Sequence, residues 1–354
     1  MLHFPRWKII FVLVVALLGL AYAAPNLTGG KGFEAIPAWG PSKTINLGLD
    51  LQGGSHILLD VGLEEVFAEQ FSSLEEATRR DFSEEGLILT RSRAGEDFAE
   101  FILPPGQDLG TARSIIRGNL TGAEIDTEDD SILRVTLSDT AARELVGSTI
   151  SQSIEIIRRR IDETGTKEPV IQRQGDRRIL VQLPGVEDPQ RVKDLIGRTA
   201  RLSYHLVDEE ANRLGQRRPG TKVMPMLDDD FRDEIIINRR SVITGDMIDF
   251  AQMTFDQNGQ PVVSVRMDAI GTDRFCQVSR ENVGRPFAIV LDGAVIIAPV
   301  IREVICGGQS QISGNFTTQD ATDLALLLRA GALPAPLTVS EERSVGPSLG
   351  ADSV

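Results

Sequence analysis

The sequence predicts an α+β protein. Two ferredoxin-like β-α-β-β-α-β units form a base, an α+β head is inserted into that base, and one transmembrane helix precedes it. Three observations support this prediction. Helical and strand-like hydrophobic periods follow the order β-α-β-β-α-β twice between residues 44 and 207. A polar stretch then precedes a block with its own apolar core, and the amino terminus carries a long apolar run.

The amino terminus is apolar almost without a break from Ile9 to Ala24. The small residues on either side of Tyr22 fit a cleaved signal peptide. The alternative is an uncleaved anchor that keeps Arg6 and Lys8 on the cytoplasmic side. Both interpretations place the rest of the chain outside the cytoplasm, in a periplasm. We expect a cytoplasmic start, an anchor and a Gly/Pro-rich tether, at residues 1–8, 9–25 and 26–43.

The first unit of the base is predicted at residues 44–130 and opens with the strand "GSHILLDV". Apolar residues at helical spacing, including Phe67, Phe71 and Leu74, predict a helix over 64–85. The remaining elements are three strands and one helix, at 86–92, 97–103, 122–127 and 106–120.

The second unit is predicted at residues 131–207. Its long helix presents an apolar stripe at spacings of three and four, made of Ala142, Val146, Ile150, Ile154, Ile157 and Ile161. A hairpin turning at Gly175-Asp176, a helix at 188–197 and a strand at 200–207 complete the unit.

The head is predicted as an insertion at residues 208–335, of which 208–240 is taken as a polar linker. The rest includes a hairpin that turns at Asp292-Gly293 and a helix capped near Thr317. The final residues, 336–354, are expected to return as a strand to the base. Two chain crossings would then join the head to the base, which makes a natural hinge.

Composition excludes several classes of function. A net charge of −14 and an aromatic content of 5% argue against a nucleic-acid binder. Three scattered histidines and two cysteines provide no structural zinc quartet. The sequence has no G-x-S-x-G elbow and no H-E-x-x-H motif, so we predict no catalytic residue, cofactor or metal ligand. Asp228–Asp230 and Arg158–Arg160 are interpreted as solvated charged faces.

The stretch "INLGLDLQGGSHILLDV" places Gly53 and Gly54 close to Asp50. A phosphate-binding loop of the Walker type needs a lysine and a following helix, whereas this glycine pair enters an apolar strand. The dinucleotide pattern G-x-G-x-x-G is not met either. We therefore interpret the pair as a bend that glycine permits, with Asp50 ordering it through hydrogen bonds to nearby backbone.

Cys276 and Cys306 are the two thiols of the sequence, and both lie in the predicted head. In an oxidising compartment they could form a disulfide bond. The alternative is a pair of buried free thiols, because one is predicted in a helix and the other at a strand end. The sequence leaves both interpretations open.

Five segments, taken together and in order, resemble the SecD family of the bacterial Sec protein-export system. They extend from about residue 45 to the last residue. They are "LGLDLQGG", "IIRRRIDETGTKEPVIQRQGDRRILVQLPGV", "NVGRPFAIVLDGAVIIAPVI", "GGQSQISGNFTTQDATDLALLLRAGALPAPL" and "EERSVGPSLGADSV". The motif positions that they carry are Asp50, Gly53, Gly54, Gly165, Gly185, Asp292, Gly293, Gly346, Pro347 and Gly350.

The resemblance implies a resistance-nodulation-division-like membrane protein of the inner membrane. Its first apolar segment stays as an anchor, its periplasmic region has a ferredoxin-like base and an inserted head, and further membrane helices follow in the whole protein. Proton-motive force acts through those helices. The implied partners are SecF (separate or fused), the SecYEG channel, YajC and unfolded preprotein substrates. The implied function is to promote completion of translocation.

Capture of unfolded chains favours an apolar groove or a free strand edge. The candidate contact residues are Met224, Met226, Met253, Ile296, Ile297 and Val300, with ordinary core packing as the alternative. Two other classes of protein stay open. One is a soluble periplasmic binding protein released by signal-peptide cleavage, and the other is a structural scaffold for the partner subunit.

Overall fold

The computed structural model describes residues 6–27, 53–129, 131–166, 169–186, 188–227 and 233–345. Contacts divide the chain into two units, and the second, Gly54–Ser344, contains most of the described residues. Helix α1, Arg6–Leu27, belongs to the first unit and covers the predicted anchor. Within the described ranges, no helix combines the length and the apolar character needed to cross a bilayer.

The second unit alternates strands and helices along its length. Its helices are α2 (Leu63–Glu84), α3 (Leu109–Asn119), α4 (Asp139–Glu163), α5 (Pro189–Gly197), α6 (Glu209–Leu214), α7 (Ala269–Glu281) and α8 (Thr318–Ala330). Its strands are β1 (Gly54–Val61), β2 (Arg91–Ala94), β3 (Ala99–Ile102), β4 (Ala123–Glu128), β5 (Ile132–Leu137), β6 (Val170–Gln174), β7 (Arg178–Pro184), β8 (Leu202–Val207), β9 (Thr221–Pro225), β10 (Glu234–Thr244), β11 (Ile248–Phe255), β12 (Pro261–Met267), β13 (Phe287–Leu291), β14 (Ala294–Ile297), β15 (Gln309–Ile312) and β16 (Leu337–Val345). The described strands form four sheets, so the predicted α+β class is confirmed.

The base sheet has the strand order β16-β1-β7-β6. β1 pairs antiparallel with β7, and β6 and β7 form the predicted hairpin. Helix α4 packs on this sheet through Ile150, Ile157 and Ile161, which are fully buried members of the predicted stripe. β16 lies beside β1, the position expected for a strand that returns to the base.

A second sheet, which we call the side sheet, has the order β2-β3-β5-β4. Helices α2 and α3 pack against it over a separate core. Large apolar side chains fill that core, among them Phe71, Phe82, Phe101, Ile116 and Leu133. Helix α2 also reaches the core of the base sheet, because its Leu63 and Phe67 pack there.

The strand pairing differs from the two consecutive units predicted at 44–130 and 131–207. β1 pairs in the base sheet rather than with the strands that follow it, and β5 completes the side sheet rather than opening the second unit. The order of elements along the chain agrees with the prediction. Element order does not fix which strands meet, however, since strand pairing is decided by non-local contacts. The residues from 63 to 137 therefore form an insertion between β1 and α4.

The head, defined here as Leu202–Ala330, contains a larger sheet with the order β14-β13-β8-β10-β9 and a smaller sheet with the order β11-β12-β15. A parallel bridge between Met226 and Val295 joins the end of β9 to β14, so the larger sheet curls towards a barrel. Helices α7 and α8 pack on these sheets. Three aromatic rings, Tyr204, Phe275 and Phe287, lie in the head core with centroids 5.8–6.0 Å apart, one pair stacked and two pairs edge-to-face.

Two boundaries of the predicted head change. Strand β8, expected to complete the base, is the middle strand of the larger head sheet. The segment 208–240 is not the predicted linker, because it contains α6, β9 and part of β10. Its polar composition reflects the exposed surface of these elements, including Glu209 and Glu210, and not a lack of regular structure.

Candidate functional site

A groove of about 600 Å³ opens beside the larger head sheet. Met226 and Ile297 contribute to an apolar wall, and both are half-buried. Helix α6 contributes a polar wall with the exposed side chains of Glu209 and Arg213. Asn212 holds α6 to β10, since its amide group donates to the carbonyl of Ile236 at 2.7 Å and accepts from the same residue's N–H at 2.9 Å. The groove therefore combines apolar contact with charges of both signs.

Half of the predicted contact residues line this groove: Met226, Ile296 and Ile297. Ile296 is only 5% exposed, so it belongs mainly to the core. Met224 packs in an apolar cluster with Ile235, whereas Met253 packs against the main core of the head. Val300 is 50% exposed and is not among the residues that line the groove. The tertiary structure thus separates residues that the sequence grouped by their chemistry.

Helix α7 is joined to the segment between β14 and β15 by a disulfide bond between Cys276 and Cys306. Ser279 adds a hydrogen bond, because its hydroxyl accepts from the N–H of Ile305 at 2.9 Å. Of the two interpretations left open by the sequence, the structure contains the disulfide. Among the described residues, no group of three or more His, Cys, Asp or Glu side chains is arranged to hold a metal ion.

A histidine is buried in the larger head sheet. His205 is 2% exposed, and its Nδ1 lies 2.9 Å from the carbonyl oxygen of Asn238. A carbonyl only accepts, so Nδ1 carries the proton and Nε2 accepts from the Ser203 hydroxyl at 3.0 Å. Burial lowers the pKa of His205 below its usual 6.5, and the nearby charge of Lys222 lowers it further. His205 is therefore neutral in the folded head at neutral pH.

This burial predicts a loss of stability in mild acid. Below a pH of about 6.5 the unfolded chain protonates His205 more readily than the folded chain does, so stability falls as the pH falls through that value. We expect urea unfolding at pH 5.5 to show a smaller free energy than at pH 7.5. The variant His205→Gln should lose less between the same two pH values. An equal loss in the variant and the wild type would contradict the assignment.

Two crossings connect the head with the base: residues 198–201 between α5 and β8, and residues 331–336 between α8 and β16. They are hydrogen-bonded to each other, since the N–H of Leu333 donates to the carbonyl of Thr199 at 2.9 Å. Leu333 is also 1% exposed and packs in the core of the base sheet. The crossings therefore form one joint and not two separate linkers.

Asp292, at the tip of the β13–β14 hairpin, binds the first crossing. Its carboxylate accepts from the Thr199 hydroxyl at 2.5 Å and from the N–H groups of Ala200 and Arg201 at 3.1 and 2.8 Å. Asp292 and Gly293 have φ values of 48° and 83°, as a tight two-residue hairpin turn requires. This motif position thus couples a head hairpin to the joint.

Helix α4 contributes a buried cation to the same joint. Arg160 is fully buried, and its guanidinium binds backbone carbonyls of both crossings. The interpretation of Arg158–Arg160 as a solvated face is therefore wrong for Arg160, although the side chain of Arg159 is 60% exposed. Helical spacing contains the missed signal, because Arg160 follows Ile157 by three positions and so lies on the apolar face.

The remaining motif positions divide into two groups. Gly53 and Gly54, before and at the start of β1, have φ values of 73° and 144°, which only glycine adopts readily. Gly165 follows the end of α4, and Gly185 follows β7. The other predicted motif residues lie outside the described residues: Asp50, Gly346, Pro347 and Gly350.

Three family descriptions match the chain. Residues 221–335 match "SecDF, P1 head subdomain", residues 150–209 match "Protein translocase subunit SecDF, P1 domain, N-terminal", and residues 38–62 match "SecD/SecF GG Motif". The first match covers most of the head, and the third contains the glycine pair. The class defined by the fold and these matches is a SecD/SecF-type translocase subunit.

Curated relatives narrow this class. The protein translocase subunit SecD of Magnetococcus marinus is 41% identical over 361 residues, which cover 99% of this chain and 68% of that protein. The protein translocase subunit SecD of Rickettsia bellii is 39% identical over 356 residues, which cover 100% of this chain and 68% of the relative. The chain belongs to the SecD family.

A solved structure supports the fold. A crystal structure of SecDF in a super-membrane-facing form matches with a TM-score of 0.52 and 26% sequence identity. The match covers 98% of this chain and 36% of that SecDF chain, so the chain spans about a third of the solved protein.

Proposed function

We propose that the chain acts as an auxiliary subunit of the Sec protein-export machinery and that its head binds unfolded polypeptide as it emerges. The observation that carries this proposal is the groove beside the larger head sheet. Most of the groove lining lies in the segment that matches the SecDF head subdomain, between residues 221 and 335. Membership of the SecD family supports the export role, since the relatives are named as translocase subunits.

The chemistry of the groove suits a ligand without a fixed sequence. Met226 offers a flexible, polarisable thioether that adapts to different side chains. Glu209 and Arg213 place one charge of each sign at the opposite wall, so segments of either charge find a partner. A wall with charges of one sign only would instead select segments of the opposite charge.

We infer that the base sheet is the ferredoxin-like base of the family. The elements β1, α4, β6, β7, α5 and β16 follow the order β-α-β-β-α-β. In the sheet, β7 lies between β1 and β6, as a split β-α-β unit requires. Two insertions then interrupt the chain of this base. The side sheet with α2 and α3 follows β1, and the head follows α5.

The same proposal extends to the setting of the protein. SecF, the SecYEG channel and YajC are the partners it would have in the inner membrane, with the large region in the periplasm. Proton-motive force acting on membrane helices of the whole protein would move the head about the two crossings. The hydrogen-bonded joint between residues 198–201 and 331–336 supports this, because it is where such a motion has to be accommodated.

Site-specific photocross-linking tests the groove. A photoreactive amino acid is placed at Met226 or Ile297 in the full-length membrane protein, and a translocating substrate is stalled in the channel. We expect both positions to give severalfold more cross-linked substrate than two matched apolar controls outside the head. Those controls are Ile88 and Val170, which are 61% and 44% exposed.

Equal cross-linking at groove and control positions would contradict substrate binding in the head. Cross-links from the groove to SecF, with none to substrate, would instead favour a scaffold for the partner subunit. A mature protein that lacks the residues before Pro25 in membrane-free extracts would favour the soluble binding protein.

A further inference from the structure

The joint between head and base is built around one buried side chain. The guanidinium of Arg160 lies within hydrogen-bond distance of five backbone carbonyls, which belong to Leu195, Ile196, Arg198, Thr199 and Gly331. The first four stand at the end of α5 and in the first crossing, and Gly331 begins the second crossing. A single residue of the base helix α4 thus binds both chain segments that lead to the head.

The charge of Arg160 is compensated in an unusual way. Among the described residues, no carboxylate forms an ion pair with Arg160. Its neighbour Arg159, in contrast, pairs with Glu155. The carbonyls of Leu195 and Ile196 come from the last turn of α5, and Gly331 follows the last turn of α8. Helix carboxyl ends carry partial negative charge and unpaired carbonyls, so both ends attract a cation. Burial lowers the pKa of Arg160 to about 10 while the charge of Asp292 raises it, and the side chain stays protonated at neutral pH.

The two terminal nitrogens of Arg160 contact different numbers of carbonyls. Nη1 carries two hydrogens and faces three of the carbonyls, whereas Nη2 faces those of Thr199 and Gly331. The Nε–H of Arg160 is buried and has no partner. Nη2 therefore touches one carbonyl of each crossing, and the planar fork adds through Nη1 the carbonyls of Leu195, Ile196 and Arg198. A lysine ammonium is a single point on a flexible stem and cannot span the same set of carbonyls.

We propose that Arg160 is the positioning residue that fixes the resting orientation of the head on the base, from which any motion about the crossings starts, by binding the carbonyls of both crossings to helix α4. Without its guanidinium, the head is still held by the mutual hydrogen bonds of the crossings, by Asp292, by ion pairs and by a small apolar cluster. That cluster joins Leu195 of α5 and Ala200 of the first crossing to Leu326 and Leu327 of α8. The pair of Arg329 with Glu163 at 2.6 Å is one of these ion pairs, and partly exposed pairs of this kind contribute modestly. This inference does not depend on what the groove binds.

Double electron–electron resonance measures the distribution of distances between two spin labels, and so reports the orientation of the head relative to the base. Labels at Gln172→Cys in the base sheet and Asn258→Cys in the head are introduced into the full chain, with the native disulfide kept oxidised. Both positions are exposed. We expect one narrow distance distribution for the background protein and a distribution about twice as broad, or shifted, for Arg160→Lys. The matched control Arg159→Lys on the exposed side of the same helix should keep the narrow distribution.

A narrow, unshifted distribution for folded Arg160→Lys would overturn the proposal, since charge without the fork would then suffice. If that variant does not fold, hydrogen exchange of the unmutated chain tests whether the crossings are held to α4. A pinned joint requires the N–H of Leu333, which donates to Thr199, to exchange within about tenfold of the N–H of Ile157 in α4. Exchange faster than that limit of about tenfold would show that the crossings open independently of α4, and would also overturn the proposal.

Discussion

Replacing Arg160 with methionine is expected to lower the free energy of unfolding by about 3–5 kcal/mol. Methionine fills similar space on α4 but donates no hydrogen bond. The carbonyls that Arg160 binds in both crossings would then lose a donor in a place closed to water. Urea unfolding followed by circular dichroism measures the change.

Arg159→Met is the matched control for this experiment. It makes the same chemical change one residue earlier, on a side chain that is 60% exposed and paired with Glu155 at 3.5 Å. Its expected effect is within about 0.5 kcal/mol. Similar stabilities for the two variants would show that the carbonyls around Arg160 find other donors, and that the joint does not need the guanidinium.

Removal of the disulfide bond in the head is expected to cost about 3–4 kcal/mol. The bond between Cys276 and Cys306 closes a loop with a sequence separation of 30, and the loss of that constraint in the unfolded chain sets the magnitude. The double variant Cys276→Ser, Cys306→Ser should therefore unfold at lower urea concentration than the oxidised wild type. Cys306 is exposed, so a reductant should bring the wild type to the same value.

The single variant Ser279→Ala serves as a comparison. It removes the hydrogen bond to the N–H of Ile305 but leaves the disulfide, so it tests how far the same segment depends on non-covalent contacts. The expected cost is about 1–2 kcal/mol, for one buried hydrogen bond. A double cysteine variant as stable as the oxidised wild type would show that the disulfide does not stabilise the head.

Much of the local structure could be predicted from the sequence. The apolar stripe of α4 has the period of a helix, and three of its isoleucines are fully buried. The hairpin turns at Gly175-Asp176 and Asp292-Gly293 occur where turn chemistry places them. Thr317 caps α8 with its side chain and a reciprocal bond from Asp320. All of these signals act over a few residues, within the reach of local sequence patterns.

The sequence does not predict strands β11 and β15, and it favours a linker from 208 to 240, where the structure has α6, β9 and part of β10. β15 has four residues, of which only Ile312 is buried, so it gives little apolar period. β11 has a single buried residue, Ala251, and its exposed and half-buried residues follow no regular alternation. Edge and surface strands depend on hydrogen bonds to a neighbour, which the sequence does not contain.

The sequence by itself determined the α+β class, the order of helices and strands up to residue 207, the inserted head and the SecD family, because each of these depends on periodicity or on contiguous motifs. Only the tertiary structure decided which strands share a sheet, since β1 meets β7 across more than a hundred residues of chain. It also brought Met226 and Ile297 into one groove and left Met253 in the core. The burial of Arg160 was likewise decided by the tertiary structure. Its charge suggests a surface position, but two helix ends and two crossings supply the carbonyls that make its burial favourable.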